Sequence, residues 1–85
     1  MNAKDAVAIR IRELCKEKNI TVNALSYKSG VTASTIYSML NGKSQNPGVV
    51  SIEKLCVGFE IPFKVFFSGS VFDEMEQESE YALHI

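Results

Sequence analysis

Apolar residues recur along this chain at spacings of three and four, interrupted by short clusters of polar residues, glycine and proline, so the pattern predicts a run of short amphipathic helices. Val7, Ile11 and Leu14 place an apolar stripe on a first helix over Lys4 to Lys18, with Arg10, Arg12, Lys16 and Lys18 interspersed. Thr21 can cap a second helix in which Val22, Leu25 and Ser26 share one face, and Ser29-Gly30-Val31 stops it. Glycine at that point supplies the positive φ of a sharp turn, and Val31 can fill the gap between helices. Thr32 then caps a third helix with Ile36, Met39 and Leu40 turned inward and Ala33, Ser34, Tyr37 and Ser38 on the opposite face. Asn41-Gly42 tolerates the left-handed conformation and closes it, leaving Lys43 free to point at an anion.

Further along, Pro47-Gly48 breaks the chain and Val50 to Phe59 carries Ile52, Leu55, Cys56 and Phe59 at helical spacing. Ile61-Pro62 is expected to end that fourth helix. Phe63, Val65, Phe66 and Phe67 form a dense apolar run, read as a short fifth helix that stops at Ser68-Gly69 and closes the core. Beyond it, Ser70 with Asp73 and Glu74 resembles a helix start, and Phe72, Met75, Ser79, Ala82 and Leu83 form a stripe at spacings of three and four. The pattern thus predicts a helical domain over 1–69 and an acidic amphipathic helix over 70–85.

Thr21 to Lys43, two short helices about a tight turn, reads as a helix-turn-helix. With R-I-R-E-L at Arg10 to Leu14, T-x-x-x-L-S at Thr21 to Ser26, S-G-V-T at Ser29 to Thr32, S-T-I at Ser34 to Ile36, N-G-K at Asn41 to Lys43 and I-x-K-L-C at Ile52 to Cys56, residues of about 7 to 67 resemble the Cro/cI-type (XRE) helix-turn-helix family. The resemblance implies an all-α, compact five-helix, lambda-repressor-like domain acting on double-stranded DNA as a transcriptional regulator; the leading expectation is a repressor that occludes a promoter as a homodimer on a palindromic operator. Two positions depart from the family pattern. Val22 stands where many members carry a phosphate-touching glutamine, and Arg10 has Leu40 rather than an acid to pair with, so Arg10 is expected to find another partner or stay solvated.

The third helix can enter the major groove amino end first, bringing Ala33, Ser34, Tyr37 and Ser38 to base edges. The resemblance places the usual base readers at Ala33, Ser34 and Ser38. None of the four offers a bidentate contact, so direct readout is modest and DNA shape contributes to selectivity. Phosphate contacts are expected from Thr21 and Asn23 at the amino end of the second helix, from Lys28 and Thr32, and from Lys43, Ser44 and Gln45.

Charge distribution decides whether DNA is a plausible partner for a chain of net charge −1. All nine Lys and Arg lie within residues 1–64 against five acids, a net of +4, whereas residues 65–85 hold Asp73, Glu74, Glu76, Glu78 and Glu80 and no base, a net of −5. The chain is a basic domain with an acidic tail. Three uses of the tail stay open: packing on its own domain over the Phe63 to Phe67 cluster, a two-fold dimer interface through Phe72, Met75, Ala82 and Leu83, or binding of a protein partner and screening of the basic face.

Composition excludes much else. Eighty-five residues with 46% hydrophobic content suit one small helical domain, although a chain this size buries only about 60–65% of its unfolded surface. No apolar run approaches the ~20 residues of a bilayer span, and charges alternate through MNAKDAVAIRIREL, so no membrane association and a cytoplasmic location are expected. Cys15 and Cys56, without a C-x-x-C or clustered histidine, read as small core thiols, and the sole histidine, His84, gives no metal site. No cofactor is implied. An enzyme is disfavoured because no nucleophile, base and orienting group co-occur and no phosphate-cradling glycine loop is present. A regulator acting on DNA and a regulator acting on a protein partner (an antitoxin or a repressor partner) remain.

Overall fold

The computed structural model describes residues 1–42 and 47–75. These form five α-helices, α1 Ala3–Glu17, α2 Val22–Ser29, α3 Ala33–Leu40, α4 Val49–Phe59 and α5 Phe63–Phe66, followed by a 3-10 helix at Ser70–Glu74.

Local chemistry explains most of the boundaries. Asn2 Oδ1 accepts from the Asp5 amide at 2.9 Å and starts α1, and Thr21 Oγ1 accepts from the Ala24 amide at 3.1 Å to start α2. Gly30 ends α2 at φ 77°, the left-handed conformation that lacks a steric penalty only at glycine. After α3, Gly42 takes φ 77° while Asn41 stays at −101°, so of the two residues expected to tolerate the left-handed region the glycine alone adopts it. Helix α4 ends at Glu60, just ahead of Ile61-Pro62, with φ 60° and the Ile61 amide donating back to the Cys56 carbonyl at 3.0 Å. The same closure ends α1, where Asn19 at φ 53° lets the Ile20 amide reach the Cys15 carbonyl at 2.9 Å.

The core joins Val7, Ile11 and Leu14 of α1 to Leu25, Val31, Ile36 and Met39 of the two central helices and to Ile52, Leu55, Cys56, Phe59 and Phe66. Apolar positions spaced by three and four therefore face one another, as the periodicity predicts. Contact between α2 and α4 is the most extensive between helices among the described residues, and Gly58 makes it close. A Cβ there would lie 2.9 Å from Ser29 Cβ and 3.0 Å from Leu25 Cδ1. Cys56 is buried and Cys15 half-buried against the core. Burial pushes both thiols above the ordinary range, with Glu53 adding to and Arg10 opposing the rise at Cys56.

The carboxyl-terminal elements differ from the sequence-based expectation. Helix α5 is a single turn, and Phe66 alone of its aromatics is fully buried, while Phe63 and Phe67 each stay 39% exposed. Ser70 makes no side-chain cap; Ser70–Glu74 is a 3-10 helix entered from Gly69, and Met75 is extended. The amphipathic α-helix expected to start at Ser70 is thus absent over 70–75, and its continuation through Ala82 and Leu83 lies outside the described residues. Packing accounts for the change. Val71 is buried, and Phe72 lies half-buried with its ring 5.1 Å from Phe67 and 6.0 Å from Phe66, which holds this turn against α1 and the α5 aromatics.

Arg10 found its other partner. Its Nε donates to the Phe66 carbonyl at 2.6 Å and Nη2 to the Val65 carbonyl at 2.8 Å, while Nη1 pairs with Glu13 at 3.4 Å. Arg10, 9% exposed as a residue, fastens α1 to the carboxyl end of α5 through its guanidinium.

Candidate nucleic-acid interface

Ile36 and Met39 are fully buried and Leu40 is half-buried, which anchors α3 by one side and turns the other outward. On that outer side Ser34 is exposed, Tyr37 is 51% exposed, and Ala33 and Ser38 are partly so. The structure therefore brings together all four residues expected to face base edges, on one eight-residue helix. At its amino end Thr32 Oγ1 accepts from the Thr35 amide at 3.3 Å, donates to Thr35 Oγ1 at 2.8 Å and lies 3.4 Å from Ser34 Oγ. Three hydroxyls thus cluster where the helix presents its free amides. Thr35 is not among the residues that the sequence marks as site candidates. Its exposure beside Thr32 follows from the helical register, since it falls on the edge of the same outward face as Ser34 and Ser38.

The turn that orients α3 is built from Ser29, Gly30 and Val31. Ser29 Oγ accepts from the Val31 amide at 3.1 Å, and Val31 is buried between the helices as its position predicts. At the start of α2, Thr21 and Asn23 are exposed. Val22, standing where family members carry glutamine, is half-buried against the core, so it contributes packing in place of a polar contact.

Lys28 shares its surroundings with one other expected phosphate contact, Thr21. It lines a cleft of about 330 Å³ with Lys18, Thr21 and Ala24 on one side and Phe59 and Glu60 at the end of α4 on the other, and no residue of α3 lines it. Lys43, Ser44 and Gln45 lie outside the described residues.

Two basic side chains of α1, neither of which the sequence singled out as functional, reach the exit of α3. Arg12 Nη2 donates to the Leu40 carbonyl at 2.8 Å and Lys4 Nζ to the Gly42 carbonyl at 3.2 Å. No sequence signal marks them, because their partners are main-chain atoms 28 and 38 positions away. Among the described residues no group of three or more His, Cys, Asp or Glu side chains could hold a metal ion, and no helix is long and apolar enough to cross a membrane.

A second helix held by its apolar edge across a glycine turn, with a hydroxyl-rich face left open, defines a helix-turn-helix module for binding DNA. The chain belongs to the Cro/C1-type HTH DNA-binding domain family, whose model matches residues 10–64. It is 34% identical over 55 residues to the uncharacterized HTH-type transcriptional regulator RghRB of Bacillus subtilis (strain 168), covering 65% of this chain and 40% of that protein. It is 32% identical over 69 residues to the HTH-type transcriptional repressor RghR of the same organism, covering 80% of this chain and 51% of that one. The chain thus spans about half or less of the length of these curated relatives. Its fold is similar to the wild-type restriction-modification controller protein C.Esp1396I, with TM-score 0.72 and 28% identity over 84% of this chain and 90% of that one. A point mutant of the same controller gives TM-score 0.74 at 27% identity, with the same coverage. The matched family is a DNA-binding domain and not an enzyme family.

Proposed function

We propose that this protein is a sequence-specific transcriptional regulator, a repressor that binds a palindromic operator as a dimer with α3 in the major groove. The observation that carries this reading is α3 itself, fixed through Ile36 and Met39 while Ser34 and Tyr37 face outward. In this reading Ser34 and Ser38 each give one hydrogen bond to a base edge, Ala33 packs on a thymine methyl and Tyr37 reaches a base or phosphate. Thr21, Asn23 and Thr32 approach the backbone from the amino ends of α2 and α3, joined by Lys43, Ser44 and Gln45; Lys28 adds a contact from the flank. Repression is supported by the relative described as a transcriptional repressor.

For the dimer, apolar surface at the carboxyl side of the molecule is the supporting feature. Val57 stays 61% exposed on α4, and the Phe63 and Phe67 rings, 5.2 Å apart, each keep more than a third of their surface in water. Phe72 packs its ring against Phe66 and Phe67 of its own chain, so the proposed contact is centred on the exposed sides of Phe63 and Phe67, with Val57 and half-buried Met75 as further apolar candidates. A two-fold pairing would present two α3 helices to the two halves of a palindromic operator.

Selection of bound sequences from a random duplex pool at near-physiological salt, with the full chain, tests the reading. A two-fold symmetric motif is the expected product. Absence of enrichment would overturn it and turn attention to a protein partner bound through the acidic tail.

A further inference from the structure

Helix α3 has no basic residue in its own last turn, and its final carbonyls lack partners within the helix. Helix α1 supplies them from outside. Arg12 gives a charge-assisted bond to the Leu40 carbonyl and Lys4 a longer one to Gly42, so two cations sit at the negative end of the α3 dipole. Glu13, the acid next to Arg12 in the chain, is engaged by Arg10, and the one hydrogen bond of Arg12 among the described residues is the one to Leu40.

We propose that Arg12 is a positioning residue for DNA recognition: by holding the Leu40 carbonyl it fixes the exit of α3, and with it the tilt of the base-reading face. It does so without touching DNA. The inference rests on the regulator reading above. Three features support it beyond the 2.8 Å distance. The contact joins elements 28 positions apart, so it constrains tertiary geometry and not merely one helix end. The Leu40 side chain is half-buried in the core, so a carbonyl held from the outer side pins the last turn at both edges. Gly42, two residues on, is left-handed, and a fixed starting direction matters most where the chain turns sharply.

The test uses two variants of the full chain. Arg12→Met keeps the aliphatic stem and removes every donor; Arg12→Lys keeps a cation able to reach one carbonyl. In the free protein, amide hydrogen exchange at Met39, Leu40 and Asn41, whose amide donates to the Tyr37 carbonyl, should quicken roughly threefold to tenfold in Arg12→Met, the change that the net worth of one hydrogen bond corresponds to. It should return most of the way in Arg12→Lys. On DNA, Arg12→Met should lower affinity for the selected sequence by a similar factor while leaving random-sequence affinity and the salt slope as in the wild type. Unchanged exchange would overturn the proposal. So would equal loss on selected and random DNA with the salt slope reduced by about one, which would make Arg12 a direct phosphate contact. A wild-type chain that selects no sequence would count against the regulator reading alone, because the exchange measurement needs no DNA.

Discussion

Arg10 and Gly69 are matched in shape. The guanidinium that bonds the Phe66 and Val65 carbonyls lies against the glycine so closely that a Cβ at 69 would come 2.7 Å from both Arg10 Cδ and Nε. The chain passes beside α1 only because residue 69 has no side chain and residue 10 has one long enough to reach two carbonyls. Arginine ends are usually free to swing aside. This one is held by three polar partners, so crowding it costs more than displacing a solvated side chain.

Arg10→Ala should therefore destabilise the protein by about 2–4 kcal/mol, because two main-chain carbonyls lose charged donors in a largely water-free site. Gly69→Ala should cost about 1–3 kcal/mol by overpacking. Urea unfolding of both single variants and of the pair checks the coupling. The Gly69→Ala penalty should largely disappear in the Arg10→Ala background, and simple additivity would show that the two residues do not press on each other.

Gly58→Ala should loosen the helix-turn-helix from the rest of the core. Its Cβ would meet Ser29 Cβ at 2.9 Å and the Ser29 amide nitrogen at 3.2 Å, atoms that cannot move without shifting α2. A loss of about 2–3 kcal/mol is expected, within the range for overpacked cores. Thermal unfolding measures it, and DNA affinity should fall in parallel since α2 carries the turn that sets α3.

Contacts to bases and to phosphate should separate by their signatures. Ser34→Ala and Tyr37→Ala should change preference among sequences, each lost base contact being worth about 1–3 kcal/mol of discrimination at most. Lys43→Ala should weaken all sequences alike and lower the salt slope by about one. Binding isotherms on selected and scrambled duplexes at several salt concentrations check this, and a uniform loss in all three variants would contradict the placement of Ser34 and Tyr37 at bases.

Burial raises the pKa of Cys15 and of Cys56 in the folded chain, so folding favours the neutral thiols. Their contribution to stability is complete below the ordinary thiol value of about 8.5 and is lost as pH rises from there through the folded values. Unfolding free energy should fall across this window by no more than about 1.4 kcal/mol per pH unit for each thiol. Denaturation at pH 7, 8, 9 and 9.5 should show the decline, and Cys15→Ala with Cys56→Ala should flatten it.

The helical framework was legible because its signals are local. Thr21 and Thr32 cap by hydroxyls three residues from the amides they satisfy, and Gly30 turns because its own φ is unrestricted. The outward face of α3 was equally legible, since burial of Ile36 and Met39 fixes the direction of Ser34 and Tyr37 through the 3.6-residue repeat. At Ser70 the same reasoning failed. Capping and acidic residues there suit an α-helix, yet burial of Val71 and the tilted contact of Phe72 with Phe67 hold a 3-10 turn, and packing outweighs a weak local preference.

The sequence alone thus determined five helices, the turn between α2 and α3, the core-facing residues and the family, because caps, glycines and apolar periodicity act over a few positions. Tertiary structure alone decided where Arg10, Arg12 and Lys4 spend their charge. Each binds a main-chain carbonyl 28 to 56 positions away, and every residue type carries a carbonyl. Such partners leave no mark in the residue pattern and exist only once the helices have packed.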